Sequence, residues 1–186
     1  HEKEIVDFFS KNKINPRFNI QCDNSGPSIS YESYFSFLKA TTAYWFNTHR
    51  AIIRPQPVCH YIEQFGKRRV APLCSQVKSC AEIYLAVNGN LNCWTCGRFA
   101  NIENFFLGSL KEFSLEEIWG LKMPQIFNEI PQNIRCKDIK CKFWSICGGG
   151  CLLQAFVDSE ENRRLFCYHQ YDFLNWLENF LFEVVL

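Results

Sequence analysis

The sequence predicts an α+β fold, on three observations. Residues 82–87 alternate, with Ile83, Leu85 and Val87 on one side, and run into Asn88-Gly89, a pair that tolerates positive φ and marks a hairpin. Two stretches, about 31–46 and 171–185, carry apolar residues at helical spacing. Between the hairpin and the last helix lies a long segment without periodicity and rich in cysteine.

The elements follow in order. Residues 2–12 read as a short helix, with Ile5, Val6 and Phe9 on one side. Arg17–Cys22 alternates as a short strand, and Asn24-Ser25-Gly26-Pro27 is turn chemistry. Ser30 is an N-cap for a helix through about Phe46, with Tyr31, Tyr34, Phe35, Leu38 and Trp45 on one face. Residues 52–73 hold three prolines and the basic run Lys67-Arg68-Arg69, and read as a connector. The domain boundary is placed there, giving 1–58 and 59–186. Leu91 opens the return strand of the hairpin. Ser114-Leu-Glu-Glu117 is a capping box that starts a helix with Ile118 and Trp119. Residues 131–151 read as loop. The last helix, about Tyr171 to Val185, carries Leu174, Leu177, Leu181 and Val184 at helical spacing.

Composition excludes several classes. With 47% hydrophobic and 16% aromatic residues, the 186-residue chain can bury a core. Its net charge of +1 makes no electrostatic case for nucleic acid or an anionic membrane. No run of roughly 18 uncharged apolar residues is present, and residues 1–20 do not read as a signal peptide. A cytoplasmic, reducing setting is expected, in which clustered thiols bind metal.

Nine of the 11 cysteines fall in two groups. Cys74 and Cys80 precede the hairpin, and Cys93 and Cys96 follow its turn. Cys136, Cys141, Cys147 and Cys151 form the second group, with Cys167 beyond them. Each cubane iron–sulfur cluster takes about four thiolates, so nine suffice for two sites with one left over. Gly148-Gly149-Gly150 lets the backbone turn tightly there, and its N–H groups can donate to cluster sulfides. Zinc is the rival occupant, because it also takes four thiolates. Buried thiols and a disulfide framework are the remaining readings, disfavoured by the ligand-like spacing and by the absence of a secretory signal. Cys22 and Cys59 lack spaced partners and read as structural; His60 and His169 read as hydrogen-bonded histidines rather than ligands.

The second group resembles the cysteine signature of the SPASM domain, the auxiliary-cluster module of radical S-adenosylmethionine (SAM) peptide-modifying enzymes. That pattern is a cysteine pair, a hairpin with a Gly before a third cysteine, Cys-x2-Cys-x5-Cys-x3-Cys, and a last cysteine. Cys141-Lys-Phe-Trp-Ser-Ile-Cys147-Gly-Gly-Gly-Cys151 matches its x5 and x3 intervals, and Leu107-Gly108 through Trp119 resembles the segment before it. The likeness covers about residues 72–170. Residues 1–58 resemble more weakly the last α/β part of a partial radical SAM barrel with its bridging helix.

The resemblance implies two [4Fe-4S] clusters, with zinc as an alternative in aerobically prepared protein. The first would take Cys74, Cys80, Cys96 and Cys151, with Cys93 as the alternative to Cys96. The second would take Cys136, Cys141, Cys147 and Cys167. It also implies a precursor peptide as substrate, cross-linked or oxidised, with Xye/Grr-type maturases the nearest likeness. Two departures stand out. Cys136 and Cys141 are spaced x4 instead of x2, and neither Cys93 nor Cys96 keeps the usual interval from Gly89. Gly97 follows Cys96 and Trp94 follows Cys93, so the Asp of sulfatase-maturing relatives is missing and that reaction is not expected. No Cys-x3-Cys-x2-Cys is present. The chain alone is therefore not expected to cleave S-adenosylmethionine, and a radical SAM core is expected upstream or as a separate protein. The alternative function is a non-catalytic zinc or iron–sulfur module that binds a peptide.

Overall fold

The computed structural model describes residues 1–19, 22–23, 26–27, 29–66, 85–100, 102–122, 141–147, 149–150 and 159–185. The chain divides into two compact units, 1–71 with 157–186, and 72–156. Both helices and small antiparallel sheets are present, so the fold is α+β.

The first unit is mainly helical. Helix α1 spans Glu2–Lys11, and strands β1 (Cys22–Asp23) and β2 (Gly26–Pro27) pair antiparallel. Helix α2 spans Tyr31–Thr48. It starts where Ser30 Oγ accepts the Ser33 N–H at 3.1 Å, which satisfies one of the donors a helix start leaves open. Tyr31, Tyr34, Phe35, Leu38, Thr41, Thr42, Trp45 and Phe46 are buried along it, a stripe repeating every three to four residues. The indole N–H of Trp45 donates to the Ile53 carbonyl at 2.9 Å.

Two elements differ from the sequence expectation. The proline-rich connector contains helix α3, Val58–Phe65, with Val58, Cys59, His60 and Tyr61 buried. Pro57 stands just outside the helix, where its missing N–H costs nothing, so the prolines mark a start. The expected 58/59 division falls at the first residue of α3, inside the first unit. Of the strand expected over 17–22, the described residues show a parallel bridge, Arg17 to Gln56, and the first residue of β1, Cys22.

The final helix, α6, spans Glu160–Val185 and begins eleven residues before its apolar period signals. Ser159 Oγ accepts the Asn162 N–H at 3.2 Å, Glu160 and Glu161 occupy the first turn, and Glu160 pairs with Arg164. Its buried face is Gln170, Phe173, Leu174 and Leu177; Leu181 is half-buried and Val184 exposed. This face meets α2 and α3. The Phe173 ring lies 5.8 Å from Phe35, Phe180 lies 5.6 Å from Phe46, and Gln170 donates to the Tyr61 hydroxyl at 3.1 Å.

The second unit holds a three-stranded antiparallel sheet, β3 (Ala86–Val87), β4 (Asn92–Trp94) and β5 (Phe106–Ser109), in that order. The hairpin forms where expected, by a different device. Asn88 Oδ1 accepts the N–H groups of Asn90 and Asn92 at 2.9 and 3.0 Å, and Leu91 takes the positive φ of 66°. Gly89 is not in the left-handed region. The Asn88 side chain therefore closes the loop, an Asx-type turn. Ser114 caps α4 (Leu115–Glu117) with the full capping box, and a wide helical turn, Ile118–Lys122, continues it. Within the segment read as loop, residues Trp144–Cys147 form a short helix, α5.

Candidate functional site

The hairpin separates the two cysteines that sequence spacing leaves ambiguous. Cys93 pairs with Val87 on one side and Gly108 on the other, with a register shift between Cys93 and Trp94. Its side chain is fully buried with Leu107 and Ile118, and Leu85, Leu110 and Phe113 pack against that cluster. Its Sγ lies 3.8 Å from the Leu91 carbonyl, and burial raises the thiol pKa. Trp94 lies with its ring 5.5 Å from that of Phe106. Cys96 lies two residues past β4, half-buried and with extended backbone, just before the 3-10 turn Gly97–Phe99. Cys93 thus has the surroundings of a small apolar side chain, whereas Cys96 is half-buried.

Between them stands Thr95, fully buried, whose Oγ1 finds no hydrogen-bond partner. An orphaned buried hydroxyl is rare, because desolvating it without a bond is costly. Among the described residues it is the one buried side-chain oxygen or nitrogen of this hairpin without a partner, and it adjoins a half-buried thiol.

The Cys141–Cys147 segment is anchored by two apolar side chains. Phe143 and Ile146 are buried, at 2% and 7% exposure. The Cys141 carbonyl accepts the Trp144 N–H at 3.0 Å, and the Phe143 carbonyl accepts the Cys147 N–H at 2.8 Å. Both thiols are half-buried at the ends of this turn. The Gly150 N–H then bonds back to the Cys147 carbonyl at 3.2 Å, with Gly149 and Gly150 at φ 93° and 85°. That conformation strains any residue with a Cβ, so glycine is needed at both positions.

Cys167 is a helical residue of α6 in the first unit, half-buried, and not the loop residue that a start at Tyr171 implied. Cys74, Cys80, Cys136 and Cys151 lie outside the described residues, as do Lys67, Arg68 and Arg69. Among the described residues no three His, Cys, Asp or Glu side chains gather into a metal site. The donor chemistry of the described candidates, Cys96, Cys141 and Cys147, suits soft metal and iron–sulfur ligation. The unpaired Thr95 hydroxyl suits a sulfur-rich group beside Cys96. No described helix is long and apolar enough to cross a membrane.

Two features of the first unit escape sequence reasoning. Cys59 is buried, which pushes its pKa up to about 11 against the nearby Arg54 charge. His60 is 3% exposed, and burial, reinforced by Arg17, pushes it down to about 4. Burial, the larger cause in both, is set by the tertiary fold and has no local signal.

No family model and no curated protein matches the chain. Among solved structures, the fold is similar to one described as "Native anSMEcpe with bound AdoMet", with a TM-score of 0.70 and 17% identity, over 99% of this chain. The chain spans 53% of the length of that protein. The likeness is one of fold: the chain is built like about half of that protein.

Proposed function

We propose that the chain is the auxiliary-cluster part of a radical SAM enzyme that modifies a ribosomally made peptide. The observation that carries this is the fold likeness over nearly the whole chain to half of an AdoMet-bound protein, in a sequence with nine clustered cysteines. In this reading one [4Fe-4S] cluster is held by Cys74, Cys80, Cys96 and Cys151. The environment of Cys93, packed by Leu107 and Ile118, supports Cys96 as the hairpin ligand. Cys136, Cys141 and Cys147 serve a second cluster, with Cys167 the further thiol the sequence resemblance implies.

Such a cluster supplies one-electron chemistry at a potential set by charge, hydrogen bonds and exposure. The chain's own residues do the rest. Phe143 and Ile146 fix the turn that separates Cys141 from Cys147, and Gly149 and Gly150 turn the backbone after it. Trp94, buried beside the exposed Phe106 ring, adds an apolar face to the sheet. The peptide is held for cross-linking or oxidation, and the radical-generating step belongs to a core with its own Cys-x3-Cys-x2-Cys, which this sequence lacks.

Anaerobic preparation of the chain tests this directly. It should carry about eight iron and eight sulfide per chain. Cys96→Ser should lose about four of each, and Cys93→Ala none. About two zinc with no sulfide after anaerobic preparation would instead support a peptide-binding metal module without catalysis, a reading that the missing core motif favours for the chain by itself.

A further inference from the structure

We infer that the Thr95 hydroxyl donates a hydrogen bond to a sulfur of the iron–sulfur site that Cys96 helps to hold, and thereby raises that site's reduction potential. The inference rests on the reading of Cys96 as a ligand.

Thr95 is 0% exposed and its Oγ1 has no partner. It follows the last residue of β4 and precedes Cys96, where the backbone leaves the sheet for the turn at Gly97–Phe99. A fully buried position at a strand end suits valine, which has the same shape and no hydroxyl to desolvate. The hydroxyl therefore needs an acceptor that the surrounding polypeptide does not supply. Thr95 immediately precedes Cys96 in the chain, so a sulfur-rich group bound through Cys96 would bring an acceptor to this neighbourhood. Thiolate and sulfide sulfurs carry negative charge, and adding an electron increases it. A donated O–H bond stabilises the reduced form more than the oxidised form, which raises the potential. Trp94, 6% exposed, adjoins this position and helps keep bulk water from competing for the hydroxyl.

Anaerobically prepared wild type, Thr95→Val and Thr95→Ser of the full chain provide the test. Iron and sulfide content, the cluster midpoints from a spectroscopic redox titration, and the melting temperature of the metal-free chain are measured. Thr95→Val should keep its iron and shift one midpoint negative by roughly tenfold in the reduction equilibrium, about 59 mV for a one-electron couple. Thr95→Ser should keep the wild-type midpoint. Metal-free Thr95→Val should melt above metal-free wild type, because it loses an unpaired hydroxyl. Full iron with both midpoints unchanged in Thr95→Val would overturn the inference and assign the hydroxyl to a buried water. If Thr95→Val takes up less iron, Thr95→Ser decides: restored iron with the wild-type midpoint supports the bond, and a displaced midpoint overturns it. Wild type without iron fails the reading of Cys96 itself, a different result from either.

Discussion

Cys59 and His60 are adjacent in sequence, and burial pushes their acid–base equilibria in opposite directions. His60 stays neutral in the fold, with its pKa lowered from 6.5 to about 4. As pH falls below about 6.5, the unfolded chain takes up a proton that the folded chain refuses. Stability is therefore lost progressively from about pH 6.5 to pH 4, by up to about 3 kcal/mol. Urea unfolding midpoints across this range should show the slope in wild type, and His60→Leu should flatten it. The Cys59 pKa is raised from 9.0 to about 11, so the contribution of its neutral thiol is present below pH 9 and fades as pH climbs toward 11. At the hairpin, the metal-free chain should alkylate at Cys96 well before Cys93, because Cys93 is fully buried and its thiol pKa is raised. Peptide mapping after a short iodoacetamide pulse reads that order.

At the scale of elements, the helix starts obey local rules. Ser30 and Ser114 both cap as their sequence positions indicate, and Ser30→Ala should cost about 1 kcal/mol in chemical denaturation. Helix α6 shows where local rules fall short. Its periodicity points to 171–185, yet the helix begins at Glu160, because Ser159, Glu160 and Glu161 form a polar start with no apolar stripe to announce it. Leu177 is fully buried on this helix, so Leu177→Ala should cost about 2–5 kcal/mol, read from the shift in denaturation midpoint. Helix α3 was hidden by its prolines, which read as breakers until their place outside the first turn is seen.

For the whole molecule, the first unit is assembled from both ends of the chain. Phe173, Leu174 and Leu177 of α6 complete a core whose other side is Phe35, Leu38 and Tyr61. A chain ending at residue 156 should lose the cooperative melting of this unit, followed by the near-ultraviolet signal of Trp45 and by helical circular dichroism. The pairing of segments more than a hundred residues apart is invisible to any windowed reading, since it depends on which apolar faces meet and not on the period of either.

Taken alone, the sequence determined the α+β class, the hairpin, both serine caps and the ligand-like spacing of the thiols. Each of these is a short-range property, set by φ preference, by hydrogen bonds within three or four residues, or by the count of residues between two cysteines. Only the tertiary structure decided that Cys93 fills a core position with Leu107 and Ile118 while Cys96 stands beyond the strand, that Thr95 is buried with its hydroxyl unpaired, and that Cys167 rides on a helix. Burial and partner supply sum over residues distant along the chain, so two cysteines three positions apart can have different chemistry that their spacing does not reveal.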